Sequence, residues 1–184
     1  IAAVLLGDVN PAGRLPMTFY HAVGDLPSFA DYGMAGRTYR YFTGDVLYPF
    51  GFGLSYTRFH YDRLRLPSAV HTGQTLTVSA DVTNTGARAG DEVVELYLTD
   101  RGAPVPVPIR ILAGFARVSL RPGERRTVRF VIRPRQRSVV SDSGVWQEHA
   151  GAFDLSIGGE QPGQHGGALA ATTDVVTGSF VVQP

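Results

Sequence analysis

From Phe59 onward the chain is built of short runs in which apolar and polar residues alternate. In Gln74 to Asn84, Leu76, Val78, Ala80 and Val82 share one face while Thr75, Thr77, Ser79 and Asp81 share the other, the period of two expected of a half-buried strand. Val94, Leu96 and Leu98 alternate with Val93, Glu95 and Tyr97, and Val128, Phe130 and Ile132 with Thr127, Arg129 and Arg133. Phe153, Leu155 and Ile157 alternate with Asp154 and Ser156, and Val175 to Val182 is a last apolar run. Turn residues separate these runs: Asn84-Thr85-Gly86, Arg121-Pro122-Gly123 and the Gly-rich Gly158 to Gly167. About seven short strands at this spacing predict an antiparallel β-sandwich of immunoglobulin or fibronectin type III shape.

The first 57 residues read differently. Ile1 to Leu6 is apolar and is followed by Gly7, the pattern of the last turns of a buried helix closed by a left-handed glycine. Isolated helices shorter than about 12–15 residues are marginal in water, so this start predicts that the chain continues upstream. Asn10-Pro11-Ala12-Gly13 reads as a turn and Leu15 to Tyr20 as a short strand. From His21 to Tyr56 neither period holds, and Gly, Pro and aromatic residues recur. Such a stretch predicts an ordered irregular segment whose rings must pack on something.

Composition narrows the class. With 43% hydrophobic and 18% charged residues the chain can bury a sizeable core, and its 22 Gly and 12 Pro favour strands and turns over a helical bundle. No apolar run reaches the roughly 20 residues of a membrane span, and no basic stretch followed by a hydrophobic one opens the chain. The absence of Cys excludes a disulfide framework, a thiol nucleophile and a thiolate metal site, while leaving the compartment open. All 17 basic residues are Arg, and residues 58–137 are strongly basic while the remainder is acidic.

Hydrolysis by paired carboxylates needs an acid/base and a nucleophile or second base held on either side of the bond that breaks. The carboxylates of the first segment, Asp8, Asp25, Asp31 and Asp45, sit beside turn signals and read as structural or solvated. The loop from Asp31 to Phe42 offers rings that can stack on a ligand and Arg37 or Arg40 as hydrogen-bond donors, with Arg37 and Tyr39 the candidate substrate-binding pair. The same rings would equally cement the segment onto the sandwich. Gly51-Phe52-Gly53 lacks the third glycine and the strand–turn–helix setting of a phosphate loop. Arg117, Arg121, Arg125, Arg126, Arg129, Arg133, Arg135 and Arg137 crowd a short stretch, as an acidic-polymer or nucleic-acid site would. Without interleaved aromatic rings they read as a solvated strand face. His21, His60, His71, His149 and His165 lack ligand spacing, so no metal is expected.

Several motifs in order carry a resemblance: Asn10-Pro11-Ala12-Gly13-Arg14-Leu15-Pro16, Gly36-Arg37-Thr38-Tyr39-Arg40-Tyr41-Phe42 and Tyr48-Pro49-Phe50-Gly51-Phe52-Gly53-Leu54-Ser55-Tyr56-Thr57. Val82-Thr83-Asn84-Thr85-Gly86, Glu92 to Tyr97, Leu112-Ala113-Gly114-Phe115, Leu120 to Glu124 and Gly151-Ala152-Phe153 continue it. Together they resemble the C-terminal part of glycoside hydrolase family 3, the β-glucosidases and β-xylosidases, over essentially the whole chain. The resemblance implies a mainly β fold: residues 1–57 as the C-terminal tail of an α/β sandwich domain, and residues 58–184 as a fibronectin type III-like, immunoglobulin-like β-sandwich. It implies retaining hydrolysis of terminal β-linked sugars by the parent enzyme, with the nucleophilic Asp and the acid/base Glu both upstream. Neither catalytic motif is found here, so no catalytic residue, metal or cofactor is expected in this chain. The implied partners are the upstream catalytic domains and a β-linked oligosaccharide or aryl glycoside, with no nucleic acid and no membrane. The alternative is a non-catalytic sandwich module that binds carbohydrate or an acidic polymer.

Overall fold

The computed structural model describes residues 1–164 and 171–184. Ten strands follow in order: β1 (Phe59–Arg65), β2 (Ala69–His71), β3 (Leu76–Asn84), β4 (Gly90–Asp100), β5 (Ile111–Leu120), β6 (Arg125–Ile132), β7 (Ser138–Val140), β8 (Trp146–Glu148), β9 (Gly151–Gly158) and β10 (Val175–Gln183). One sheet has the order β1-β3-β6 and the facing sheet β2-β10-β9-β4-β5, while β7 and β8 form a small separate hairpin. Every pairing is antiparallel except that of β2 with β10. The mainly β sandwich expected from the alternation is the fold observed.

The core lies between the sheets and takes the in-phase residues of each strand. Val78 and Val82 of β3, Leu96 and Leu98 of β4, Ile132 of β6, Leu155 and Ile157 of β9 and Phe180 of β10 are all buried in one cluster. Phe153 stacks on Phe180 at 5.5 Å across the β9–β10 pair. Burying such side chains contributes roughly 1.5–3 kcal/mol each against leaving them exposed. Not every outward position is wet, however. Asp81 faces away from the core yet is only 3% exposed, because Arg65 (2.9 Å) and Thr127 (2.7 Å) close over its carboxylate.

The first segment is irregular, as its lost periodicity implied, with short helices at Ala2–Leu5 (α1) and Thr38–Tyr41 (α2). Gly7 closes α1 at φ +83°, a left-handed conformation that glycine alone adopts without cost. The short strand expected at Leu15 to Tyr20 does not form. One isolated bridge, Phe19 to Tyr48, stands in its place, since Pro16 has no N–H and no continuous partner runs alongside. The Gly-rich stretch Gly158 to Gly167 extends from the end of β9 to positions outside the described residues.

Candidate functional site

The densest polar chemistry lies where residues 1–57 meet the first half of β4. Gly90, Glu92 and Val94 share the core-facing phase of that strand, so Glu92 carries a carboxylate toward the sandwich interior and is fully buried. Its neutralisation comes from the first segment. The turn expected at Asn10-Pro11-Ala12-Gly13 does not form; just beyond it the backbone of Leu15 pairs with Phe52 O and Gly51 N, both at 2.9 Å. Arg14 beside it pairs with Glu92 Oε2, and both side chains are almost entirely out of water. Tyr61 Oη of β1 donates to Glu92 Oε1 at 3.0 Å and Thr173 Oγ1 donates to the same oxygen at 2.6 Å. Burial drives the Glu92 carboxyl upward in pKa, and Arg14, Thr173 and Tyr61 pull against it.

Glu95, one position out of phase, lies on the opposite face of β4 and would be solvated in an isolated sandwich. Here the first segment covers it. It is 3% exposed, accepts a hydrogen bond from Tyr97 Oη at 2.7 Å and lies directly against Gly51, at φ +83°. A Cβ at Gly51 would collide with the carboxylate, so glycine is required there for both backbone and space. Burial first, with Glu92 and Glu160 as like charges, pushes the Glu95 carboxyl from 4.5 up to about 7, while Tyr97 and Arg14 act in the opposite sense.

The sign of the consequence follows from linkage. A carboxyl with a folded pKa above its unfolded value favours folding below the unfolded pKa and loses that contribution as pH rises through the folded one. Raising pH from about 4.5 to about 7 therefore removes stability through Glu95. The shift corresponds to about 3 kcal/mol. In Glu95→Gln this component of the pH dependence disappears, and the variant becomes the more stable protein above pH 7. Urea unfolding midpoints across pH 5 to 8 measure this, and parallel curves for the two proteins would contradict it.

Other contacts fasten the same joint. Asn10 Oδ1 accepts from the Tyr56 amide at 2.7 Å, and its Nδ2 donates to Ala89 O at 3.3 Å. Arg88 Nη1 donates to Gly7 O at 2.8 Å, and Ile109 N to Arg40 O at 2.7 Å.

The candidate pair of the Asp31 to Phe42 loop divides. Tyr39 turns to the sandwich, stacking on Phe50 at 4.3 Å and meeting Tyr97 edge-on at 6.1 Å, while its hydroxyl accepts from Leu112 N at 3.3 Å. Arg37 turns the other way and donates to the carbonyls of Ser28, Asp31 and Gly33, clamping that loop with Phe29 and Tyr32 more than nine-tenths exposed at its tip. The four early carboxylates do not converge. Asp25 caps Ala22 N at 2.9 Å, Asp31 closes a turn onto Gly33 N at 2.8 Å, Asp45 accepts from Val46 N at 3.0 Å, and Asp8 stays exposed.

The basic cluster also disperses. Arg117 pairs with Asp91, Arg125 with Asp62 and Arg126 with Glu124, while Arg129 and Arg133 are exposed on the strand face where alternation put them. Arg137 departs from the solvated reading: it is 1% exposed, paired with Glu148 at 2.6 Å. The turn Pro134–Arg137 directs it inward beneath β8. Among the described residues no group of three or more His, Asp or Glu side chains is arranged to hold a metal ion, and no helix is long and apolar enough to cross a membrane.

Comparison with known proteins agrees with this architecture. Residues 1–56 match the glycosyl hydrolase family 3 C-terminal domain and residues 92–161 the fibronectin type III-like domain, in that order. The chain belongs to glycoside hydrolase family 3, as part of its C-terminal region. It is 39% identical to a β-xylosidase of Formosa agariphila over 86% of the chain and 23% of that protein. It is 38% identical to a periplasmic β-glucosidase of Salmonella typhimurium over 86% of the chain and 22% of that protein. A solved β-glucosidase from Erythrobacter marinus superposes with a TM-score of 0.81 at 34% identity, covering 99% of the chain and 23% of the longer protein. The chain thus spans about a quarter of the length of the relatives it matches.

Proposed function

We propose that this chain is the C-terminal structural part of a retaining β-glycosidase, a β-glucosidase or β-xylosidase that removes terminal non-reducing sugars, with both catalytic carboxylates on upstream domains. The observation that carries the reading is the two-sided character of residues 1–57. One side is locked to the sandwich through Arg14, Gly51 and Tyr39. The other leaves Leu5, Leu6, Val23, Phe29 and Tyr32 open to water. Large apolar side chains left exposed in such number on one segment favour an interaction surface, and upstream domains of the same polypeptide are the partner that fits.

In this reading residues 1–57 complete an α/β sandwich domain and residues 58–184 form the accessory sandwich that braces it. Arg37 and Tyr39 bear on substrate through the loop they shape, Arg37 by ordering residues 28–33 and Tyr39 by fixing α2. The chain alone lacks a paired nucleophile and proton donor, because its close carboxylates, Glu92 and Glu95, are sealed under the first segment. The purified 184-residue protein therefore gives no turnover of aryl β-glucosides or aryl β-xylosides. Hydrolysis that survives repurification and is lost in Asp31→Asn or Asp45→Asn would overturn the proposal.

A further inference from the structure

A cavity of about 810 Å³ opens at one end of the sandwich, away from the Arg14–Glu92 joint. Its apolar wall comes from Val105 and Val107 before β5, Val131 of β6 and Val139 of β7, while Arg40 and Tyr41 of α2 reach its rim. Pockets of this size hold small ligands of one to a few rings. Its electrostatics are lopsided. Four arginines, Arg40, Arg133, Arg135 and Arg137, line it against one acidic residue, Asp100, whose carboxylate His149 Nε2 already engages at 2.7 Å. Arg137 is matched by Glu148. Arg40, Arg133 and Arg135 have no carboxylate partner among the described residues. Trp146 lies on the same wall, half exposed, with Arg135 over its ring at 4.6 Å.

We propose that this cavity is a subsite for a carboxylate-bearing saccharide, a uronic acid unit carried on a β-linked chain. The unneutralised guanidinium groups supply the planar, paired donors that a carboxylate accepts. The indole and the valine wall supply the apolar surface against which the C–H face of a sugar ring packs. An anion without an apolar body would leave that wall unused, and a neutral sugar would leave the three exposed guanidinium groups unengaged. The carboxylate rests on the cavity itself, whereas the saccharide class rests on the glycosidase reading. Binding needs no turnover, so the two fail separately.

Trp146 is the only Trp of the chain, so its fluorescence reports on this cavity alone. The 184-residue protein is titrated with xylotetraose carrying one glucuronic acid, with neutral xylotetraose, and with benzoate. The acidic oligosaccharide produces a saturable change in emission, neutral xylotetraose binds at least roughly tenfold more weakly, and added salt weakens the acidic ligand. Arg40→Ala/Arg133→Ala, both at exposed positions, leaves the Arg135–Trp146 reporter in place and weakens the acidic ligand by a similar factor. Calorimetry on the same variant gives the affinity independently of the Trp signal. Equal affinity for the neutral and acidic oligosaccharides, no saturation at millimolar concentrations, or an unchanged double variant would overturn the site. Benzoate binding as tightly as the acidic oligosaccharide would overturn its saccharide assignment.

Discussion

Phe130→Ala lowers the unfolding free energy by about 3–5 kcal/mol, the cost of removing a large buried ring and leaving a cavity behind. Phe130 lies in the second half of β6, opposite Val78 of β3, and its ring reaches across to Gly114 of β5 in the facing sheet. It is 9% exposed. The absence of a side chain at Gly114 makes room for that ring, so neighbouring side chains cannot easily close the gap left by alanine. Domains of this size hold only about 5–15 kcal/mol in total, so the loss is a large fraction of the whole. Trp146→Ala costs much less, because half of the indole is already in water and its recorded ring partner is the guanidinium of Arg135. Urea midpoints at constant slope compare the two. A Phe130→Ala midpoint near that of the parent protein would mean that the two faces of β6 are reversed.

Arg14→Ala has an effect of the same order for an electrostatic reason. Breaking a buried ion pair from one side leaves an uncompensated charge and typically costs about 3–5 kcal/mol. Glu92, with no exposed surface, keeps Tyr61 and Thr173 as donors but loses its one cationic partner among the described residues. Removing the guanidinium also removes a cause that holds the carboxyl down, so the folded pKa of Glu92 rises further. By linkage the damage is greatest at high pH and shrinks as pH falls and the carboxyl takes up a proton. Arg14→Ala/Glu92→Gln recovers part of the loss, because an amide is far less costly to bury unpaired than a charge. Equal destabilisation of Arg14→Ala at pH 5 and pH 8 would show that Arg14 acts through packing alone.

Much of the sandwich is legible in the sequence because burial on one face imposes a period of two. β3, β4, β6 and β9 show it directly. β5 does not, since the pairing with β4 shifts between Leu96 and Tyr97, opposite Leu112 and Gly114, and this bulge interrupts the alternation in Ile111 to Leu120. Three-residue strands such as β7 and β8 are too short to display any period. The buried joint was partly visible: Glu92 stands in phase with Val94, Leu96 and Leu98, which marks a carboxylate on a core face that must find a partner. Its partner is 78 positions away on an irregular loop, and no local pattern connects the two. Glu95 and Tyr97 are buried by a segment without periodicity, and Arg137 is turned inward by a single short helix. Such burial depends on how separate pieces dock, which hydrophobic alternation does not record.

The most direct measurement grafts this chain onto the upstream part of the Formosa agariphila β-xylosidase, replacing the region that it matches, and follows aryl β-xyloside hydrolysis. The upstream part alone is predicted to be inactive or unstable. Joined to the present chain it regains activity, and Arg14→Ala in the grafted segment reduces the amount of active enzyme. Full activity from the upstream part alone, or a folded graft no more active than that part, would contradict a structural role for this chain in a β-glycosidase.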